Sequence, residues 1–161
     1  MRKIFLFLML SFFSMSMNAQ EVYKAIRSKA MEERSNPLSS TVLRKYNQFK
    51  VDALDYMAIK MREQMPDSTA QMLDDQAYAM SMFLNLYTKT ILEHRTDPGA
   101  YQVKIIKVFM DASYNNPLFR DTDKDLVLSY YSDGESMTRF SLDTNWPQAL
   151  LAAEAELKKV K

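Results

Sequence analysis

The chain of 161 residues contains no cysteine, only two glycines and a single histidine. The absence of cysteine excludes disulfide bonds, thiol catalysis and cysteine-ligated zinc or iron–sulfur clusters. Phosphate-binding loops and dinucleotide-binding motifs need clustered glycines, whereas Gly99 and Gly134 are far apart in the sequence. With His94 as the only histidine, a metal site built from several histidines is excluded as well.

Positive and negative charges are nearly equal in number, with 21 Lys and Arg against 20 Asp and Glu and a net charge of +1. Domains that bind nucleic acids are usually clearly basic, so the composition argues against a nucleic-acid partner. The sequence also lacks the Gly-x-Ser-x-Gly motif of a nucleophilic serine. We therefore predict no catalytic residue and no cofactor.

Residues 1–19 have the order of a secretory signal peptide. Arg2 and Lys3 precede the apolar run 4–13, and small or polar residues then lead to Ala19. Serines interrupt the apolar segment, which favours a cleaved signal over a membrane anchor. The pattern resembles bacterial export signals of the Gram-negative type. We expect an exported protein, periplasmic or extracellular, which is not a lipoprotein because no cysteine follows the apolar run, and whose mature chain has no transmembrane segment.

Residues 20–161 predict a single domain of the α+β class, mainly α, with about four to five helices packed as a bundle. Apolar residues recur every three or four positions in five segments, near 21–34, 40–64, 68–95, 98–114 and 146–160. The segment 49–53 also alternates apolar and charged residues, so a short strand remains an alternative there. Phe83 and Phe109, on consecutive predicted helices, are expected to share one core.

After Pro117 the apolar period changes from about 3.6 to 2, which predicts a β-hairpin near 125–142 followed by the last helix. Its turn is expected to be a three-residue loop, Ser132-Asp133-Gly134, with glycine in the left-handed conformation. The open strand edge beside Tyr130 and Tyr131 is where a partner strand is expected to add.

Asp121, Asp123 and Asp125 stand at every second position, as in the first half of a calcium-binding EF-hand loop. The remainder of the loop does not match, because Leu126 replaces the glycine and Ser132 replaces the bidentate glutamate. The three aspartates form a candidate calcium site, but a solvated loop is the preferred interpretation.

Two further groups of residues favour structural roles. His94 follows Glu93 directly, but neighbouring helical side chains point about 100° apart, so His94 is expected to cap a helix end rather than to act as a base. The methionines lie at helical spacing on the apolar faces, which predicts core packing rather than copper binding; they include Met57, Met61, Met65, Met72, Met80 and Met82.

Tyr114, Tyr130 and Tyr131 are the candidate partner surface, because exposed tyrosines bind both proteins and sugars. The leading interpretation is a small exported interaction or structural domain without catalysis. The alternative is an exported glycan- or peptide-binding protein or a hydrolase that uses carboxylates. Expected partners are another envelope or secreted protein, or a glycan.

The mature protein is predicted to begin at Gln20. Mass spectrometry of the exported protein should show a chain without residues 1–19, with Gln20 free or cyclised. An exported chain that retains Met1 would contradict this prediction.

Overall fold

The computed structural model describes residues 21–122 and 140–160. Over these residues the chain forms five α-helices whose bounds lie close to the predicted ones. They are α1 (Glu21–Ser35), α2 (Thr41–Gln64), α3 (Ala70–Glu93), α4 (Gly99–Tyr114) and α5 (Trp146–Val160). In this part of the chain, no helix has the length and apolarity needed to cross a membrane.

The predicted α+β class is wrong, because the described residues are helical and contain no strand. Residues 140–142, assigned to the second strand of the hairpin, have irregular backbone. The first strand, the Ser132–Gly134 loop and the rest of the second strand lie outside the described residues. Phe140 gives the physical reason for the error. Its side chain is buried against the aromatic rings of Phe83 and Tyr87, so it is apolar because it packs in the core and not because it lies in a strand.

The structure decides the open question at residues 49–53 in favour of helix. Phe49 and Ala53 lie one turn apart on α2 and are both fully buried. The helix begins after Ser40, whose side-chain oxygen accepts a hydrogen bond from the Leu43 amide at 3.2 Å. A side-chain acceptor at this position satisfies one of the first-turn amides that have no partner within the helix.

Six aromatic side chains form the centre of the core and meet edge to face. Their ring centroids lie 5.1–6.0 Å apart, the usual range for such pairs. The expected contact between Phe83 of α3 and Phe109 of α4 is confirmed, at 5.4 Å. The cluster comprises Phe49, Phe83, Tyr87, Phe109, Phe140 and Trp146.

The aromatic cluster also separates two helices. Phe49 of α2 and Phe83 of α3 both contact Phe140 and Trp146, which therefore lie between them. As a result, the backbones of α2 and α3 are close to each other at few positions. In contrast, α1 packs closely on α2, and α5 packs closely on α3 and α4.

Polar contacts fix α1 against the other helices. The Arg27 guanidinium donates two hydrogen bonds to the carboxylate of Asp55 on α2, at 2.5 and 2.9 Å. Asp74, buried on α3, accepts a hydrogen bond from the Tyr23 backbone amide at 2.8 Å. A two-bond arginine–carboxylate pair fixes orientation as well as distance, so α1 is held in one position.

Replacing Phe109 with alanine should lower the free energy of unfolding by about 3–5 kcal/mol, because a fully buried ring is lost and a cavity remains. Val103→Ala on the same helix is the control, since Val103 is 64% exposed and its change should stay within about 0.5 kcal/mol. Chemical denaturation measures both. Equal losses for the two variants would contradict the described core.

Candidate functional site

An open groove lies between the amino-terminal turns of α2 and the carboxyl-terminal half of α3, and we call it the α2–α3 groove. Its volume is about 680 Å³ and its walls are mainly apolar. From α2 it is lined by Val42, Leu43 and Tyr46, and from α3 by Asn85, Thr88, Lys89 and Leu92. Ser40 and Glu93 also line it.

The walls of the groove place apolar side chains in contact with solvent. Leu43 on α2 is 41% exposed and Leu92 on α3 is 59% exposed, and Val42 is exposed beside them. Isolated exposed apolar residues are common, whereas these three side chains line one groove from two helices. Lys89 and Glu93 form an ion pair at 3.7 Å on one rim.

Tyr46 forms the floor of the α2–α3 groove and is almost fully buried. Burial raises the pKa of its hydroxyl to about 12, and the neighbouring Thr88 side chain opposes this rise. The Lys50 ammonium lies 4.5 Å from the centre of the Tyr46 ring, a cation–π contact. The Tyr46 hydroxyl is therefore neutral at ordinary pH.

A row of side chains on the solvent side of α3 continues from the groove along the helix, and we call it the α3 seam. Its members are spaced alternately by four and three residues, the spacing of a helix–helix contact. The seam consists of Tyr78, Met82, Asn85, Lys89 and Leu92, all of them exposed.

The prediction that the methionines pack in the core is wrong for Met82. Met57, Met61 and Met80 are buried in the core, as the sequence predicts. Met82 is instead exposed, because it lies on the α3 seam rather than on the buried face. Methionines occur at helical spacing on both the buried face and the exposed face of α3. The spacing alone therefore does not show which methionines are buried.

Asp121, the described member of the candidate calcium site, is engaged by other side chains. The Tyr56 hydroxyl donates a hydrogen bond to it at 2.8 Å, and the Lys60 ammonium lies 2.9 Å away. Burial and the hydrogen bond to Asp121 raise the pKa of the Tyr56 hydroxyl. Asp123 and Asp125 lie outside the described residues, so the calcium site stays a prediction.

Asp143 organises the turn after α4, a role that sequence reasoning missed. Asp143 is 5% exposed, and its carboxylate accepts hydrogen bonds from the backbone amides of Leu118, Phe119 and Asp121 at 2.8–2.9 Å. The chain curves around this carboxylate, and Arg120 adopts a φ of 54°, in the left-handed region. In the sequence, Asp143 lies between the predicted hairpin and the last predicted helix, where no spacing or motif singles it out.

Buried hydroxyls next to Asp143 join α4 to the start of α5. The Ser113 and Thr144 hydroxyls lie 2.8 Å apart, and Ser113 also accepts a hydrogen bond from the Ser141 amide at 2.9 Å. The Trp146 amide donates to the Gln76 side chain of α3 at 2.9 Å. These contacts fix Phe140 and Trp146 in the aromatic cluster, so their role is structural.

His94 pairs with Asp97 rather than with its neighbour Glu93. Its Nδ1 lies 2.7 Å from a carboxylate oxygen of Asp97, and its ring meets Tyr101 edge to face at 5.2 Å. A cavity of about 180 Å³ lies beside it, between the ends of α3, α4 and α5. The pair holds the turn between α3 and α4, consistent with the predicted structural role of His94.

The predicted tyrosine surface is described only at Tyr114, which is half-buried near the end of α4. Tyr130 and Tyr131 lie outside the described residues, and the hairpin edge beside which they were placed belongs to the fold prediction that is wrong. The α2–α3 groove and the α3 seam are the surfaces that sequence reasoning missed.

Comparisons with family models, curated proteins and solved structures each gave no match to this chain.

Replacing Asp143 with alanine should lower the free energy of unfolding by about 2–4 kcal/mol, because three backbone amides lose a charged acceptor. Asp143→Asn should lose less, since one oxygen remains to accept. Glu154→Ala, at an exposed acidic residue of α5, is the control and should change little. Chemical denaturation that found Asp143→Ala as stable as Glu154→Ala would contradict the structural role of Asp143.

Proposed function

We propose that this protein is an exported interaction domain that binds an α-helix of a polypeptide partner in the α2–α3 groove and along the α3 seam. The observation that carries the proposal is the contiguous exposure of Val42, Leu43 and Leu92 on both walls of one groove. The signal-like residues 1–19 support an exported location, in the periplasm or outside the cell.

The shape of the groove favours a polypeptide over a small molecule. Small-molecule sites usually enclose most of the ligand and present a few converging polar groups. The α2–α3 groove is open along its length and its walls are mainly apolar. Open apolar walls of this kind suit the side chains of a partner protein, which supply their own apolar surface.

The spacing along α3 favours a helix as the bound element. Side chains that alternate by four and three residues form a straight row on one helix, and a second helix packs into such a row. The α3 seam has this spacing from Tyr78 to Leu92 and joins the groove at Asn85, Lys89 and Leu92. A strand or an irregular loop would match only part of this row.

The groove does not have the residues of a carboxylate hydrolase. Such an enzyme needs two acidic groups facing one substrate. Among the described residues that line the groove, Glu93 is the one acidic side chain, and it pairs with Lys89. The buried or half-buried carboxylates of Asp55, Asp121 and Asp143 have partners elsewhere in the fold.

Site-specific photo-crosslinking tests the proposal in the cells that produce the protein. A photoreactive phenylalanine analogue at Leu92 should give a discrete adduct, and mass spectrometry should identify a polypeptide joined through a helical segment. The same analogue at Val103, an equally exposed apolar position on α4, is the matched control and should not give that adduct.

A second variant distinguishes specific binding in the groove from non-specific crosslinking. With the analogue at Leu43, the substitution Leu92→Glu should abolish the adduct, because it places a charge on the opposite wall of the groove. Val103→Glu should leave the adduct unchanged. Absence of any adduct at Leu92 and Leu43, or an identical pattern at Val103, would overturn the proposed function.

A further inference from the structure

We infer that the helix bound by the α3 seam is α3 of a second copy of this chain, in antiparallel orientation about a two-fold axis at Asn85. This inference rests on the proposed function, since it names the partner of the same surface. Three features of the described residues carry it: the symmetry of the seam, the distribution of charge along α3, and the position of the groove beside Leu92.

The seam is symmetric about its middle residue. Tyr78 and Leu92 lie equally far from Asn85 along α3, on opposite sides of it, and Met82 and Lys89 lie at nearly equal distances. In an antiparallel pair each Tyr78 therefore faces the second copy's Leu92, and each Met82 faces the aliphatic part of the second copy's Lys89. A two-fold interface uses the same patch on both chains and needs this self-complementarity.

The charges on α3 favour the antiparallel arrangement. Asp75 is exposed near the start of the helix, and Arg95 is exposed just after its end, each ten positions from Asn85. An antiparallel pair brings Asp75 close to the second copy's Arg95 twice, once at each end of the contact. A parallel pair would instead set Asp75 against Asp75 and Lys89 against Lys89, which is unfavourable.

The polar middle of the seam sets the register. The side-chain amide of an asparagine at a helix–helix contact can form hydrogen bonds with the same residue of the partner helix. Any other register leaves the amide without a partner, so the asparagine selects one register. Asn85 lies on the axis, where its amide meets the second copy's amide. At either end, the second copy's Tyr78 reaches Leu92 at the opening of the α2–α3 groove, where its ring is an aromatic anchor between apolar walls.

A charge exchange tests the pairing in the purified mature protein by sedimentation velocity. The unmodified chain should sediment as a dimer. Asp75→Arg and Arg95→Asp should each weaken dimerisation by about tenfold, since each creates like charges at both ends of the contact. An equimolar mixture of the two single variants should dimerise again, because each chain then supplies the charge that the other lacks.

A cysteine scan gives an independent readout, because the chain has no cysteine of its own. Asn85→Cys should form a disulfide-linked dimer on mild oxidation at low protein concentration, since residues on a two-fold axis are within disulfide distance. Asn115→Cys, at an exposed asparagine after α4, is the matched control and should form no disulfide-linked dimer under the same conditions. Thermal unfolding monitored by circular dichroism verifies that each variant is folded.

Each outcome decides the inference. A monomer at the highest soluble concentration, or a mixture of single charge variants that does not dimerise, overturns the antiparallel pairing. If the protein is monomeric but Leu92 crosslinks to a different polypeptide, the proposed function stands and the inference about the second copy fails. If Leu92 crosslinks to nothing, the proposed function itself fails.

Discussion

The fold depends on one buried carboxylate. Asp143 accepts three backbone amides from the turn after α4 and so fixes how the chain reaches and leaves the irregular residues before α5. Phe140 and Trp146 flank this point and enter the core from it. Because backbone amides cannot be buried without partners, the aromatic cluster and the polar turn require each other.

The aromatic cluster in turn explains why the groove exists. Phe140 and Trp146 stand between α2 and α3 and keep the two helices apart at the middle of the bundle. Toward the start of α2 and the end of α3, the smaller side chains of Val42, Leu43 and Leu92 do not fill the same separation. The gap between α2 and α3 is thus filled by aromatic side chains at the middle of the bundle and is open at one end, where it forms the groove.

The helices could be predicted from the sequence because their apolar residues recur at helical spacing and proline or asparagine residues mark the ends. The β-hairpin prediction was wrong because apolar residues at every second position are not specific to strands. Phe140 fits that alternation but is buried from a segment with irregular backbone. The role of Asp143 depends on contacts with amides more than twenty residues away. The groove was missed because α3 carries two faces at helical spacing, and Met82 belongs to the exposed one.

Trp146 is the only tryptophan of the chain, and its ring lies fully buried against Phe49 and Phe83. Its fluorescence therefore reports the apolar centre of the bundle without any label, and its emission shifts to longer wavelength when the core opens to water. The α2–α3 groove carries Tyr46 and the α3 seam carries Tyr78, but neither contains a tryptophan. Unfolding can therefore be followed by tryptophan emission from a site that belongs to neither the groove nor the seam.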